Sequence, residues 1–228
     1  MALAGNARPT LDARQSQLIA SMYRDTPLAQ TVAEGFQVRD EVRRAMQAEM
    51  DAASRNAMTS RGFELVARRM AALMRERYDL GFVDVGGWDT HVGQGATTGY
   101  LANRFEELGR GLAAFAQEME PENWRQTVVV VISEFGRTFR ENGNKGTDHG
   151  HGTVYWVLGG GLSAQAGGRV VGEQQALTAT TLFQNRDYPV LNEYRAVLGG
   201  LFQRMYGLSP AQVAKVFDGV TPKDLQLV

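Results

Sequence analysis

Over the first 80 positions, apolar residues recur at helical spacing among alternating charges. The pattern predicts helices near residues 11–24, 28–58 and 61–78. In the last of these, Phe63, Val66, Met70, Leu73 and Met74 form one stripe. From residue 80 the pattern changes. Residues 80–85 read as a short strand ending at Gly86 and Gly87, and a loop follows to Thr98. Leu101, Phe105, Leu108, Leu112, Phe115 and Met119 then mark one face of a helix, and Pro121 and Asn123 break it. The run 127–132 is apolar on both faces, as in a strand buried within a parallel sheet. Strand, helix and strand at this spacing predict a βαβ unit.

A polar loop covers 133–152, and 153–158 read as another strand. Gly159 to Gly161 and Gly167 with Gly168 bracket a hairpin-like segment ending at 169–171. Asn192 is placed to cap a helix carrying Tyr194, Leu198, Leu201, Phe202 and Met205, closed by Gly207. Ser209-Pro210-Ala211-Gln212 is a capping box with proline at the first helical position, so a last short helix reaches about residue 217. Two regions follow from this pattern: a helical segment, 1–79, that packs on the sheet, and an α/β region, 80–228.

Composition narrows the function. Basic and acidic residues balance, 24 against 25, which removes the charge footprint of a nucleic-acid or anionic-membrane partner. With no cysteine, disulfides, thiolate metal sites and a cysteine nucleophile are excluded. The longest aliphatic run, 128–132, is far short of a membrane span. Residues 1–9 show no basic stretch followed by an apolar one, so no export signal is read there. Glycine is frequent, and 19 of the 26 glycines fall in residues 81–172. The same stretch holds every histidine: His91, His149 and His151.

Two segments carry the candidate chemistry. Gly86-Gly87-Trp88-Asp89-Thr90-His91 follows a predicted strand. Ser133-Glu134-Phe135-Gly136-Arg137-Thr138 follows the apolar run and leads on to Gly146-Thr147-Asp148-His149-Gly150-His151-Gly152. Ligands of parallel sheets bind beyond the carboxyl ends of the strands, so the segments are expected to converge. Together they offer Asp89, Glu134 and Asp148, three imidazoles and Arg137. Carboxylate and imidazole are ligands for zinc, manganese or iron. Asp89 and His91 are one residue apart and point the same way on an extended loop. Arg137 suits an anionic oxygen. The bland alternatives are a backbone-bonded histidine and a loop salt bridge between Glu134 and Arg137. No phosphate loop and no serine-nucleophile elbow is present.

These strings, with Glu141-Asn142-Gly143 between them, resemble the bacterial domain-of-unknown-function family 1501 over roughly residues 60–220. That family is placed in the alkaline phosphatase and sulfatase superfamily. The resemblance implies an α/β/α sandwich with a mostly parallel sheet and a two-metal site that hydrolyses or transfers phosphate and sulfate esters. It also implies a divalent metal, zinc or manganese, as one or two ions. Asp89 and His91 match one pair of ligands at a shorter spacing than usual. His149, with His151 as the alternative, matches the late histidine. The second metal falls to Glu134, beside Phe135 where the superfamily has histidine, or to Asp148-His149 as the counterpart of that motif.

Members of this family are about twice as long and often exported, and the superfamily nucleophile lies on an early strand. The chain thus resembles the C-terminal half of such a protein, with the nucleophile outside it. The expectation is a metal-binding, hydrolase-like domain for an anionic small-molecule ester, with Arg137 neutralising charge on the ester. The alternatives are a non-catalytic protein of the same fold and a metal-free binding module. An open sheet edge would favour self-association.

Overall fold

The computed structural model describes residues 2–4, 13–55 and 62–228. In chain order the elements are β1 (Ala2–Ala4), α1 (Ala13–Tyr23), α2 (Ala29–Arg55), α3 (Gly62–Glu76), β2 (Phe82–Asp84) and α4 (Tyr100–Trp124). They are followed by β3 (Val129–Val131), β4 (Gly136–Arg137), β5 (His149–Gly150), β6 (Trp156–Leu158), α5 (Tyr194–Tyr206) and α6 (Pro210–Val216). The expected helix ends at 11–12, 56–58 and 61 lie outside the described residues. The chain is α/β, with six helices and small sheets among the described residues.

The contacts divide the chain into two compact units. The first takes in residues up to Trp88 together with Asn103–Glu120. Here β1 runs parallel to β2, with Leu3 opposite Val83. The apolar stripe of α3 supplies buried Phe63, Ala67, Met70 and Ala71, and α4 supplies Leu108, Ala114, Phe115 and Met119. Polar ties join the two helices. Glu107 Oε1 of α4 accepts from the Phe63 N–H at 3.2 Å, at the open amino end of α3. Arg75 donates to the Glu118 carbonyl at 2.9 Å. By contrast, none of the described side chains of α1 and α2 is buried, and Leu18, Met22 and Leu28 are exposed.

The second unit comprises Asp89–Ala102 and Pro121–Val228. Its core is Ala166, Leu201 and Leu227, with Val128, Val130, Val157, Leu162 and Phe202 packed against them. The chain passes between the units where α4 breaks, at Glu120 with φ 60° and ψ 157°. Pro121 accounts for this break, because its ring displaces the preceding residue from helical geometry. α5 ends in left-handed Gly207, and α6 carries the full Ser209–Gln212 capping box.

Two expectations are corrected. A mostly parallel sandwich is not present among the described residues: β3 pairs antiparallel with β6, Val130 opposite Val157, and β4 pairs antiparallel with β5. An apolar run shows that a strand is enclosed, not which way its neighbour runs. The run also yields only three strand residues, each half-buried. The cap of α5 is Glu193, whose carboxylate accepts from the Ala196 N–H at 2.9 Å. Asn192 instead bonds both backbone groups of Glu173, at 3.0 and 3.1 Å.

Candidate metal centre

The polar loop between β3 and β6 folds back on itself as the β4–β5 ladder, in which Arg137 stands opposite His149. Gly136 makes this possible. A Cβ there would come within 1.9 Å of the Gly152 carbonyl oxygen. The loop from Asp89 to Gln94 lies along the same segment. Thr147 N–H donates to the Thr90 carbonyl at 3.1 Å, Gly93 N–H to Asn144 at 3.0 Å and Gln94 N–H to Lys145 at 2.8 Å. Gly146 sits where the two loops touch, and a Cβ there would meet the His91 carbonyl group at 2.3 Å. These are backbone contacts that cannot yield, so glycine is what lets the two segments meet.

Their meeting brings three donor atoms together. Asp89 Oδ1 lies 2.9 Å from His91 Nε2 and 2.8 Å from His149 Nε2, and the two imidazole nitrogens are 3.1 Å apart. Asp89 and His149 are exposed and His91 is half-buried, so the cluster opens to solvent. Behind it, His91 Nδ1 contacts Asp148 Oδ1 at 2.8 Å, and Asn142 Nδ2 donates to the same oxygen at 2.9 Å. Asn142 Nδ2 also reaches the His91 carbonyl at 3.0 Å. Phe135 stacks on the His149 ring at 4.2 Å and fixes its plane.

An ionised carboxylate only accepts hydrogen bonds. An N–H at His91 Nδ1 therefore faces Asp148. In that tautomer of the neutral ring, Nε2 presents a lone pair toward Asp89 Oδ1 and His149 Nε2. The hydrogen bond from His149, then that from Arg137, holds the Asp89 carboxyl below its usual range. The bond from His91, then that from Asn142, does the same for Asp148. Both carboxylates are therefore charged at neutral pH.

The remaining candidates fall elsewhere. Arg137 places one NH1 on Asp89 Oδ1 at 3.1 Å and its Nε on Thr147 Oγ1 at 3.0 Å, and NH2 donates to the Thr147 carbonyl. Its guanidinium thus holds Asp89 in place instead of standing open to an anion. Glu134 is exposed and accepts from Ser133 Oγ at 3.3 Å. It is not among the clustered donors. The bland salt bridge between Glu134 and Arg137 is not formed either; Arg137 pairs with Asp89. His151 bonds Asp187, a residue the sequence did not single out. Asp187 is fully enclosed, and only a capping-type aspartate in the Asn185-Arg186-Asp187 turn marks it in the sequence.

A family model described as a protein of unknown function, DUF1501, matches residues 1–217, and the chain belongs to this family. Comparison with curated proteins and with solved structures gave no match.

Proposed function

We propose that this chain binds one divalent cation through Asp89, His91 and His149 and is the metal-binding part of a hydrolase acting on phosphate- or sulfate-type esters. The observation that carries the reading is the triangle of donor atoms, with sides of 2.8, 2.9 and 3.1 Å. Donors that share one ion at about 2.0–2.1 Å stand about 3 Å apart, so the residues fit such a group. The nitrogen, nitrogen and oxygen set suits zinc, manganese or iron. Three protein ligands leave positions open for substrate, as catalytic sites require.

A cation there supplies Lewis-acid polarisation of an ester oxygen. The chain's own residues prepare that position. Asp148 orients the His91 ring and fixes its tautomer, as carboxylates commonly do for metal-bound histidine. Phe135 sets the plane of His149. Arg137 restrains Asp89 through Thr147, so the carboxylate is aligned in advance.

The hydrolase assignment rests on the resemblance to the alkaline phosphatase and sulfatase superfamily. Phe135 favours a second reading, a metal-binding protein without turnover. In the register that aligns Glu134-Phe135-Gly136 with the superfamily motif it stands at a ligand position, and here it packs on His149.

Metal analysis of the purified chain tests the site. About one equivalent of zinc, manganese or iron is expected, and it should vanish in the Asp89→Ala/His91→Ala double variant. Retention of metal by that variant would overturn the site. A panel of aryl phosphate and sulfate esters, run with added metal, separates the two readings.

A further inference from the structure

His151 stands outside the donor cluster and is held by a different carboxylate. Its Nδ1 lies 2.7 Å from Asp187 Oδ2. Arg186 pairs with the same carboxylate: NH2 donates to Oδ2 at 2.9 Å, and Nε lies 2.8 Å from Oδ1, which is buried without a hydrogen-bond partner among the described residues. Asp187 has no exposed surface, whereas the His151 side chain is half exposed. The Phe183 ring meets the imidazole edge-on at 4.7 Å and fixes its plane. The backbone holds the pair in register. Phe183 N–H and Asp187 N–H each donate to the other's carbonyl, at 2.9 and 3.0 Å.

Burial alone would raise the Asp187 carboxyl, but the bonds from Arg186 and then His151 outweigh it and hold the carboxyl below its usual range. Asp187 is therefore a carboxylate that only accepts, and Nδ1 of His151 carries the proton. In the neutral ring, Nε2 keeps its lone pair. It has no hydrogen-bond partner among the described residues, and about half of the side chain is exposed. A half-exposed ring locked in one tautomer by a buried carboxylate, with no hydrogen-bond partner on its other nitrogen among the described residues, has the geometry of an activated nucleophile.

We propose that His151 is a phosphoryl-accepting nucleophile: Nε2 takes a phosphoryl group from an activated small-molecule donor, with Asp187 orienting the ring and Arg186 beside it. With an acyl phosphate as donor, the Nε2 lone pair attacks phosphorus and an N–P bond forms. The P–O bond to the acyl group breaks, and its electron pair leaves with acetate. The ring becomes cationic, keeps its Nδ1 proton on Asp187 and is neutralised by that carboxylate. Water then attacks phosphorus and the N–P electron pair returns to Nε2. Inorganic phosphate leaves, and the proton goes to solvent. No step uses the Asp89–His91–His149 cluster.

The test is incubation of the full chain with acetyl phosphate, with and without a chelator, followed by intact mass measurement and peptide mapping. One phosphoryl group per chain is expected, stable in alkali, lost in acid and located on His151. The chelator should leave it unchanged. His151→Gln should abolish it, and Asp187→Asn should lower its rate at least about tenfold by releasing the tautomer. Where Asp187→Asn does not fold, wild-type chain unfolded in urea takes its place, and it should not label. Absence of acid-labile label on the folded wild type, together with no His151-dependent release of inorganic phosphate, overturns the proposal. So does label on His91 or His149, equal labelling of folded Asp187→Asn, or equal labelling of the unfolded chain.

Discussion

Removing Asp148 gives the most direct test of how the donor triangle is held. Asp148 does not belong to the triangle, yet its Oδ1 receives His91 Nδ1 at 2.8 Å and Asn142 Nδ2 at 2.9 Å. Asp148→Ala removes the acceptor that fixes the His91 tautomer. It also removes one of two anchors for Asn142, whose other bond is to the His91 carbonyl. Losing such an orienting carboxylate typically costs about 10–100-fold in metal affinity. The upper end is expected for alanine, because the ring loses its only fixed partner on that side. Asp148→Asn keeps an acceptor oxygen and loses the charge, so about tenfold is expected. Both carboxylates of the cluster are solvent-exposed to a large degree, and global stability should barely change. Competition between the protein and a chromophoric chelator for zinc or manganese measures the affinities. Equal affinity for wild type and Asp148→Ala would refute the reasoning, as would a larger loss for asparagine than for alanine.

Three further outcomes follow from the same contacts. Gly146→Ala should weaken metal binding more than about tenfold, by the same loss of alignment, and lower the thermal midpoint, because its Cβ would collide with the His91 and Thr90 backbone; Gly86→Ala, with open space at that position, should behave as wild type. Asp187→Asn should destabilise the fold by about 1–3 kcal/mol in urea titrations, the low end applying because Arg186 and His151 remain half exposed to water. The Asp187 carboxyl is lowered on folding, so its contribution is complete above the ordinary value of 3.8 and disappears as the pH falls through the folded value. The same titrations on wild type across that range should show the loss, and Asp187→Asn should show a flatter profile. Glu134→Gln should leave metal affinity unchanged, since the one hydrogen bond of its carboxylate among the described residues is to Ser133; a marked loss would place Glu134 in the centre.

The helices were legible because their signals are local. The six-residue stripe of α4, the Pro121 break and the Ser209–Gln212 box each lie within a few residues of what they decide. Strand direction is not local. Residues 127–132 carry the same apolar character whether their neighbour runs parallel or antiparallel, and here Val130 meets Val157 on an antiparallel strand. The α5 cap was misplaced by one residue for a similar reason. Asn192 and Glu193 both suit a cap. The choice was made by Glu173, which lies far away in sequence and takes both amide groups of Asn192.

The site divides along the same line. Which residue types would gather was readable, because scarce histidines beside acids in glycine-dense loops are few and their chemistry is narrow. Which atoms meet depended on contacts between segments. Asp89, His91 and His149 converge because Gly146 admits the backbone of the 90–91 loop to within contact distance, and no spacing rule encodes that approach. The same contacts divide the expected roles. Asp148 is drawn to Nδ1 of His91, behind the triangle, and Arg137 is drawn to Asp89 by Thr147. Asp187 was invisible for the opposite reason: a single aspartate in a turn is common, and its importance comes from being enclosed against His151 and Arg186. One imidazole therefore has Asp148 behind it and another has Asp187. The first carboxylate is half-buried and serves a nitrogen of the donor triangle. The second is enclosed and serves an imidazole whose other nitrogen has no hydrogen-bond partner among the described residues. In both, Nδ1 is occupied by a carboxylate contact, so under the proposed roles chelation and His151→Gln should produce separable losses.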